Sequence, residues 1–327
     1  MWNQLSTHHR ERGSVFDDFM RRLDADHPTF LPPLQRSRGL MVFSDFAGDL
    51  RNSRFSTFSF VIAPMESIPS WNYSRTALRQ HFRLGRRRLA YSKLNDTRRR
   101  KAMPFFAQAA NAISGLSVTV LIDKRIKSIF TPGGYDPSRT AVSGRTFTTR
   151  KSPVLERTLR AAFLVAVFLA GLSAPEQNLL WVTDEDDIAA DPDALAHLGD
   201  AFRSILAYNA AHSVGEVQVA TTVTAGGEAL LAEDYTSIAD IVGGAVTSLI
   251  CSYGSAVPLH SFVVPAPEHL PDKTKALILQ LFKEDAVLRK LIFTAQPFGD
   301  GSARIVYGFP KITFQRGLIA QSRLTLV

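Results

Sequence analysis

Four aspartates stand where a chain could do chemistry. Asp45 closes the run Leu40-Met-Val-Phe-Ser, Asp123 closes Leu116-Ser-Val-Thr-Val-Leu-Ile, and Asp184 follows Asn178-Leu-Leu-Trp-Val-Thr. Asp240 lies beside the apolar positions Ile238, Ile241, Val242, Ala245 and Leu249, which share one face of a helix. In an α/β sheet the ends of strands gather on one rim, where ligands bind. Carboxylates gathered there repel one another unless a cation neutralises them. A hard divalent ion, Mg²⁺ or Mn²⁺, takes oxygen ligands. Two such ions about 3.5–4 Å apart would activate a water and stabilise the leaving oxygen in phosphodiester cleavage. Each acid also has a plainer use. Aspartate is a common turn residue where a strand ends; residues 184–187 also read as a solvated acidic loop, and Asp240 as a cap or ion-pair partner.

The second signal is basic. Residues 1–150 hold 25 Lys and Arg against 11 Asp and Glu, a net +14; the rest holds 13 against 19, a net −6, within a whole-chain charge of +8. Two runs stand out, Arg86-Arg87-Arg88 and Arg98-Arg99-Arg100-Lys101, with Lys93 between them. The second run opens a helix that Asp96 is placed to cap, although cations at a helix N-terminus oppose its dipole. Phosphate contacts would give such a cluster a use; solvent exposure at a small cost in stability is the alternative. A basic half beside an acidic half points to a polyanion partner, or to two layers that attract each other.

Around these residues the pattern alternates between strands and helices. A helix over 15–23 leads through the prolines at 28, 32 and 33 into a hairpin over 40–63. Helices are expected at 73–82, capped by Ser70 or Asn72, and at 97–113, with the strand 116–123 after them. A long basic loop, 131–151, precedes a helix over 152–172 that is apolar nearly all round, as a helix buried on a sheet should be. Then come a strand at 178–183, a helix at 193–212 capped by Asp191, a strand at 216–222 and a helix at 233–251. The last stretch reads as a strand at 259–264, a helix at 273–291 and a β-rich end with a turn at 299–301. The expected fold class is therefore α/β.

Composition excludes several classes. Hydrophobic content of 45% and charged content of 21% in 327 residues are ordinary for a globular chain with a sizeable core. The longest apolar run, 161–172, is too short for a bilayer, which needs about 20 residues. The start of the chain has no apolar signal core, and His8 and His9 read as solvated, so no membrane partner is expected and a cytoplasmic location is. Lone Cys251 excludes an internal disulfide and a Cys-based zinc site, and its place in an apolar stretch predicts a buried, inert thiol. Phosphate-loop, dinucleotide and nucleophile-elbow motifs are absent.

The order of hairpin with an acid, helix, strand with an acid, helix, strand with an acid and late helix with an acid resembles the RNase H-like (retroviral integrase-like) fold. It is similar, more narrowly, to a bacterial family of uncharacterised RNase H-like proteins with an Asp-Glu-Ser-Gly first strand. The matching stretches are Ser44-Asp45-Phe46-Ala47-Gly48, Ala90-Tyr91-Ser92-Lys93-Leu94, Ile122-Asp123-Lys124 and Ile238-Ala239-Asp240-Ile241-Val242. The resemblance implies a mixed sheet flanked by helices over 39–252, with an N-terminal helical arm (1–38) and a C-terminal α+β extension (253–327). It implies a metal-dependent nuclease or related phosphoryl-transfer enzyme acting on nucleic acid. Asp45 and Asp240 would be metal ligands, with Asp123 or Asp184 in the third position. Arg86, Arg87, Arg88, Lys93, Arg98, Arg99, Arg100 and Lys101 would contact phosphates. Two departures point to the alternative, a catalytically inactive module that binds nucleic acid or a protein partner. Phe46 stands where the family has Glu, and the acid expected ahead of Tyr91 is replaced by the Arg86–Arg88 run.

Overall fold

A computed structural model describes residues 1–6, 16–46, 53–126, 153–223, 230–252, 270–283 and 285–297, and the backbone of 14–15, 152, 229, 261–264, 303–308 and 322–325. The expected loop at 131–151, the His8 and His9 pair and the turn at 299–301 lie outside them. In chain order the elements are α1 (Ser14–Asp26), β1 (Gly39–Asp45), β2 (Phe55–Pro64), α2 (Ile68–His81), α3 (Thr97–Asn111) and β3 (Leu116–Asp123). They continue with α4 (Ser152–Leu172), β4 (Asn178–Thr183), α5 (Pro192–Asn209), β5 (Val217–Thr221) and α6 (Ala229–Ser252). Last come β6 (Ser261–Val264), α7 (Asp272–Leu281), β7 (Arg289–Pro297), β8 (Ala303–Gly308) and β9 (Ser322–Thr325). Parallel and antiparallel pairs in one sheet, flanked by helices, make this a mixed α/β fold.

Two compact units interleave along the chain: Met1–Val42 with Ile126–Ala229, and Phe43–Arg125 with Leu230–Val327. Strand β1 is itself divided between the units. The first unit has strand order β5-β4-β1, with β4 and β5 parallel from Leu179 opposite Val217 to Thr183 opposite Thr221. Helix α4 is buried along most of its length and packs on α5. Residues 1–38, expected as a peripheral arm, instead supply part of this core. Trp2, Leu5, Phe16, Phe19, Met20 and Leu23 are all buried. The Trp2 indole donates to Asp17 at 2.8 Å and lies over Gly171, where any Cβ would come within 2.3 Å of the ring.

The second unit has strand order β1-β2-β3-β7-β8. Strands β2 and β3 run antiparallel, placing Phe55 opposite Asp123; β3 and β7 run parallel, and β7 returns antiparallel as β8. A separate antiparallel pair joins β6 to β9. Helix α6 crosses β2, where Thr247 Oγ1 meets Thr57 Oγ1 at 2.7 Å and Gly243 faces Ser59. Tyr235 of α6 stacks on Phe43 at 4.2 Å. This helix is the one among the described residues long and apolar enough to cross a membrane, but 72% of that stretch is buried in the protein, as in a core helix.

Three local expectations are corrected. Helix α2 begins at Ile68, not near residue 73, because Pro69 fits the first helical turn; Ser70 and Asn72 therefore lie inside the helix. Helix α7 ends at Leu281, and Arg289 to Leu291 join β7 through pairing with Leu116 to Val118. Cys251 is exposed: it lies two residues beyond Leu249, about 200° round the helix from that buried stripe.

Candidate functional site

The C-terminal ends of β1 and β3 and the start of β2 form one rim of the second unit. Phe46, just past β1, packs on Phe58 of β2 at 5.6 Å, and Phe55 pairs with Asp123. The sequence puts an acid at each strand end, and the fold puts an arginine on each acid. Asp45 faces Arg88, whose Nη2 lies 3.4 Å from Oδ1. Asp123, with only 1% of its side chain exposed, accepts from Arg54 Nε at 2.8 Å and from Arg125 Nε and Nη2 at 2.9 and 2.8 Å. The Arg125 backbone N–H adds a further bond at 3.0 Å. Burial alone would raise the Asp123 pKa. The Arg125 side-chain and backbone bonds and the Arg54 bond outweigh it and hold the carboxyl at about 2.

Asp240 comes to the same neighbourhood from α6. Its Oδ2 accepts from the backbone N–H of Tyr91 at 2.6 Å. Arg88 and Tyr91 are three residues apart, so Asp45 and Asp240 hold points separated by at most about 11 Å of chain. Tyr91 is itself fixed: it lies against Gly244, Lys273 Nζ sits 4.3 Å from the ring centroid, and its hydroxyl meets Thr274 Oγ1 at 2.7 Å.

The basic segment is stitched into one surface. Asp96 caps α3 by accepting from Arg99 N–H at 2.9 Å, as its position predicts. Arg99 Nε donates to the Arg88 carbonyl at 2.8 Å, Arg98 Nη1 to the Arg83 carbonyl at 3.1 Å, and Arg79 Nη1 to the Gly85 carbonyl at 2.7 Å. Arg79 is anchored in turn with Arg75 on the buried carboxylate of Asp234. Loop carbonyls are thus taken up by arginine donors, while the side chains of Arg86, Arg87, Lys93, Arg98, Arg100 and Lys101 are exposed and those of Arg88 and Arg99 half-buried.

Asp184 belongs to the first unit, whereas Asp45, Asp123 and Asp240 belong to the second. Near Asp184, Arg157 reaches both Asp186 and Asp187 at 3.1 Å, and burial pushes the Asp186 carboxyl up to about 6. Thr221 donates to Glu185 at 3.2 Å.

Among the described residues, no three His, Cys, Asp or Glu side chains gather in a way that could hold a metal ion. At the rim Asp123 bonds two guanidiniums, Asp45 faces a third, and Phe46 is buried at 6% exposure against an aromatic ring. Sequence reasoning missed Arg54, Arg125, Arg75, Arg79 and Asp234. Only Arg125, two residues after Asp123, carries a local signal; the others pair across 69 to 159 residues of chain. No family model matches this sequence, and no curated protein matches it.

Proposed function

We propose that the protein is a nucleic-acid-binding module of RNase H-like form in which arginine side chains occupy the rim where that fold would hold metal ions. The observation that carries the reading is the pairing of Asp45 with Arg88 and of Asp123 with Arg54 and Arg125. A guanidinium neutralises a carboxylate but has no open coordination position from which to activate water. The element order of strand-end acids and a late acidic helix supports the family resemblance. Charge supports the polyanion partner: the second unit holds 24 basic and 13 acidic residues, a net +11, against −3 in the first. Exposed lysines and arginines between 86 and 101 would contact successive phosphates, and release of their counterions would drive binding. A cytoplasmic location belongs to the same reading.

The metal-dependent nuclease is the second reading, favoured by the approach of Asp240 and Asp45 to one short segment. It requires Asp45 to leave Arg88 and, where Asp123 and not Asp184 is the third ligand, Asp123 to leave two arginines. The test is binding of labelled single- and double-stranded DNA and RNA in chelator, for the wild type and Arg98→Gln/Arg100→Gln/Lys101→Gln. The proposal expects binding in chelator that the triple substitution weakens at least tenfold. Binding that needs a divalent ion, or that ignores the substitutions, would overturn it.

A further inference from the structure

Three rings meet on the outside of the second unit, where α2 ends against α3. His81 lies edge-on to Phe82 at 4.6 Å, and Phe82 lies 5.2 Å from Phe105 at a tilt of 48°. A tilted neighbour does not cover the face of a ring, and Phe105 is 54% exposed. A single exposed apolar side chain is ordinary on a protein surface; here the rings touch one another and cations frame them. Arg98, Lys101 and Phe105 follow one stripe of α3, three and four residues apart. Arg98 Nη1 donates to the Arg83 carbonyl at 3.1 Å, which holds the residue after Phe82 beside that stripe. Arg83 is exposed and has a φ of 50°, a left-handed angle that glycine adopts most readily at a helix end. The chain thus keeps a guanidinium beside the rings at a cost in stability. From residue 68 to residue 111 there are eleven lysines and arginines and one acid, Asp96.

We propose that Phe105, backed by Phe82, is a stacking platform for an unpaired base, so that the protein prefers single-stranded to duplex nucleic acid. The inference deepens the function proposed above and rests on it. An exposed aromatic face accepts any base, because every base has a π-face, while cations beside it follow the backbone. In a duplex the faces of the bases are stacked on one another, and only edges, sugars and phosphates reach a protein. Phosphate contacts from Arg83, Arg98 and Lys101 serve both forms; the ring is what tells them apart. A protein partner would also cover an aromatic patch, but a stretch with eleven cations and one acid complements a polyanion.

The experiment measures binding of the full-length protein, in chelator at fixed salt, to one oligonucleotide as a single strand, as a duplex and as a strand with abasic sites. The wild type is expected to bind the intact single strand about tenfold more tightly than the abasic strand, the scale of one base–aromatic stack. Phe105→Leu keeps an apolar side chain and removes the π-face, so it should bring that ratio close to one; Phe105→Tyr should restore it. Thermal unfolding of each variant separates lost stacking from lost folding. Phe105→Trp adds an optical signature, because Trp2, Trp71 and Trp181 are buried: its added emission should be quenched by the intact strand and not by the abasic one. Tyr73→Ser, at an exposed ring nine residues before Phe82, should leave the ratio unchanged. Arg83→Gly should raise the melting temperature yet weaken every probe alike, and Arg98→Gln/Arg100→Gln/Lys101→Gln should weaken all probes and keep the ratio. Equal affinity of the wild type for intact and abasic strands, with the Phe105→Trp emission unmoved, would overturn the platform and leave the nucleic-acid reading intact. Failure to bind any probe would overturn both. A dimer in sedimentation that Phe105→Ser dissolves would reassign the patch to a second copy of this chain.

Discussion

Asp123 ends β3 with its carboxylate bonded to two arginines. Its pKa of about 2 means that the native state holds the carboxylate far more tightly than the unfolded chain does. A depressed carboxylate pKa contributes stability that is present above the unfolded value near 4 and lost as pH falls towards 2, here about 2 kcal/mol. Asp123→Asn should therefore destabilise by about 1–3 kcal/mol at pH 7, and the difference from wild type should shrink towards zero near pH 2, read by urea unfolding across that range. Asp186 has the opposite sign. Its pKa is raised to about 6, so its contribution is full below about 4 and lost as pH climbs through 6; Asp186→Asn should flatten that slope. Arg88→Glu places a carboxylate opposite Asp45 and should create measurable Mn²⁺ affinity by calorimetry where the wild type has none. At this scale the sequence told half the story. Asp45 and Asp123 do end their strands, as the apolar-run-then-acid pattern predicts. Their partners were not legible, because Arg54 meets Asp123 only through the β2–β3 register and Arg88 reaches Asp45 across 43 residues. Phe46 was legible as a departure, and its burial on Phe58 explains why no acid stands there.

Among the elements, α6 does the positioning. Gly243 and Gly244 let it lie against β2 and Tyr91, so that Asp240 meets the Tyr91 N–H. A Cβ at Gly244 would come within 2.4 Å of the Tyr91 ring. Gly244→Ala should destabilise by about 1–3 kcal/mol despite the better helix propensity of alanine, and should weaken nucleic-acid binding by displacing the segment that follows Arg88. Gly199 in α5 is the control, since its added Cβ meets only the movable end of Arg203; Gly199→Ala should be neutral or stabilise by up to about 1 kcal/mol. Thermal unfolding of the two variants checks both. Strands β3 and β4 and helix α4 were readable to the residue because their apolar runs are bounded by acids, Gly or Pro. The end of α7 was not, because residues 282–291 keep a helix-like composition, while Arg289 to Leu291 gain more by pairing with β3 than by continuing the helix.

For the whole molecule, charge was the most legible property and its distribution the least. A contrast between the halves of the chain was visible in the sequence, but the interleaved units sharpen it: the second unit gathers a net +11 from two separate stretches. That concentration makes the salt dependence of binding a quantitative prediction. Removing the charges of Arg98, Arg100 and Lys101 should lower the log–log slope by about 0.7–0.9 for each phosphate no longer neutralised, measured by anisotropy between low and physiological salt. The central claim is that arginines have taken the place of metal at the rim. Its most direct test is cleavage and binding of labelled DNA and RNA with Mn²⁺ and with chelator, Asp45→Asn beside the wild type. The account predicts equal binding in both conditions and no cleavage by either protein. Mn²⁺-dependent cleavage by the wild type that Asp45→Asn abolishes would contradict it.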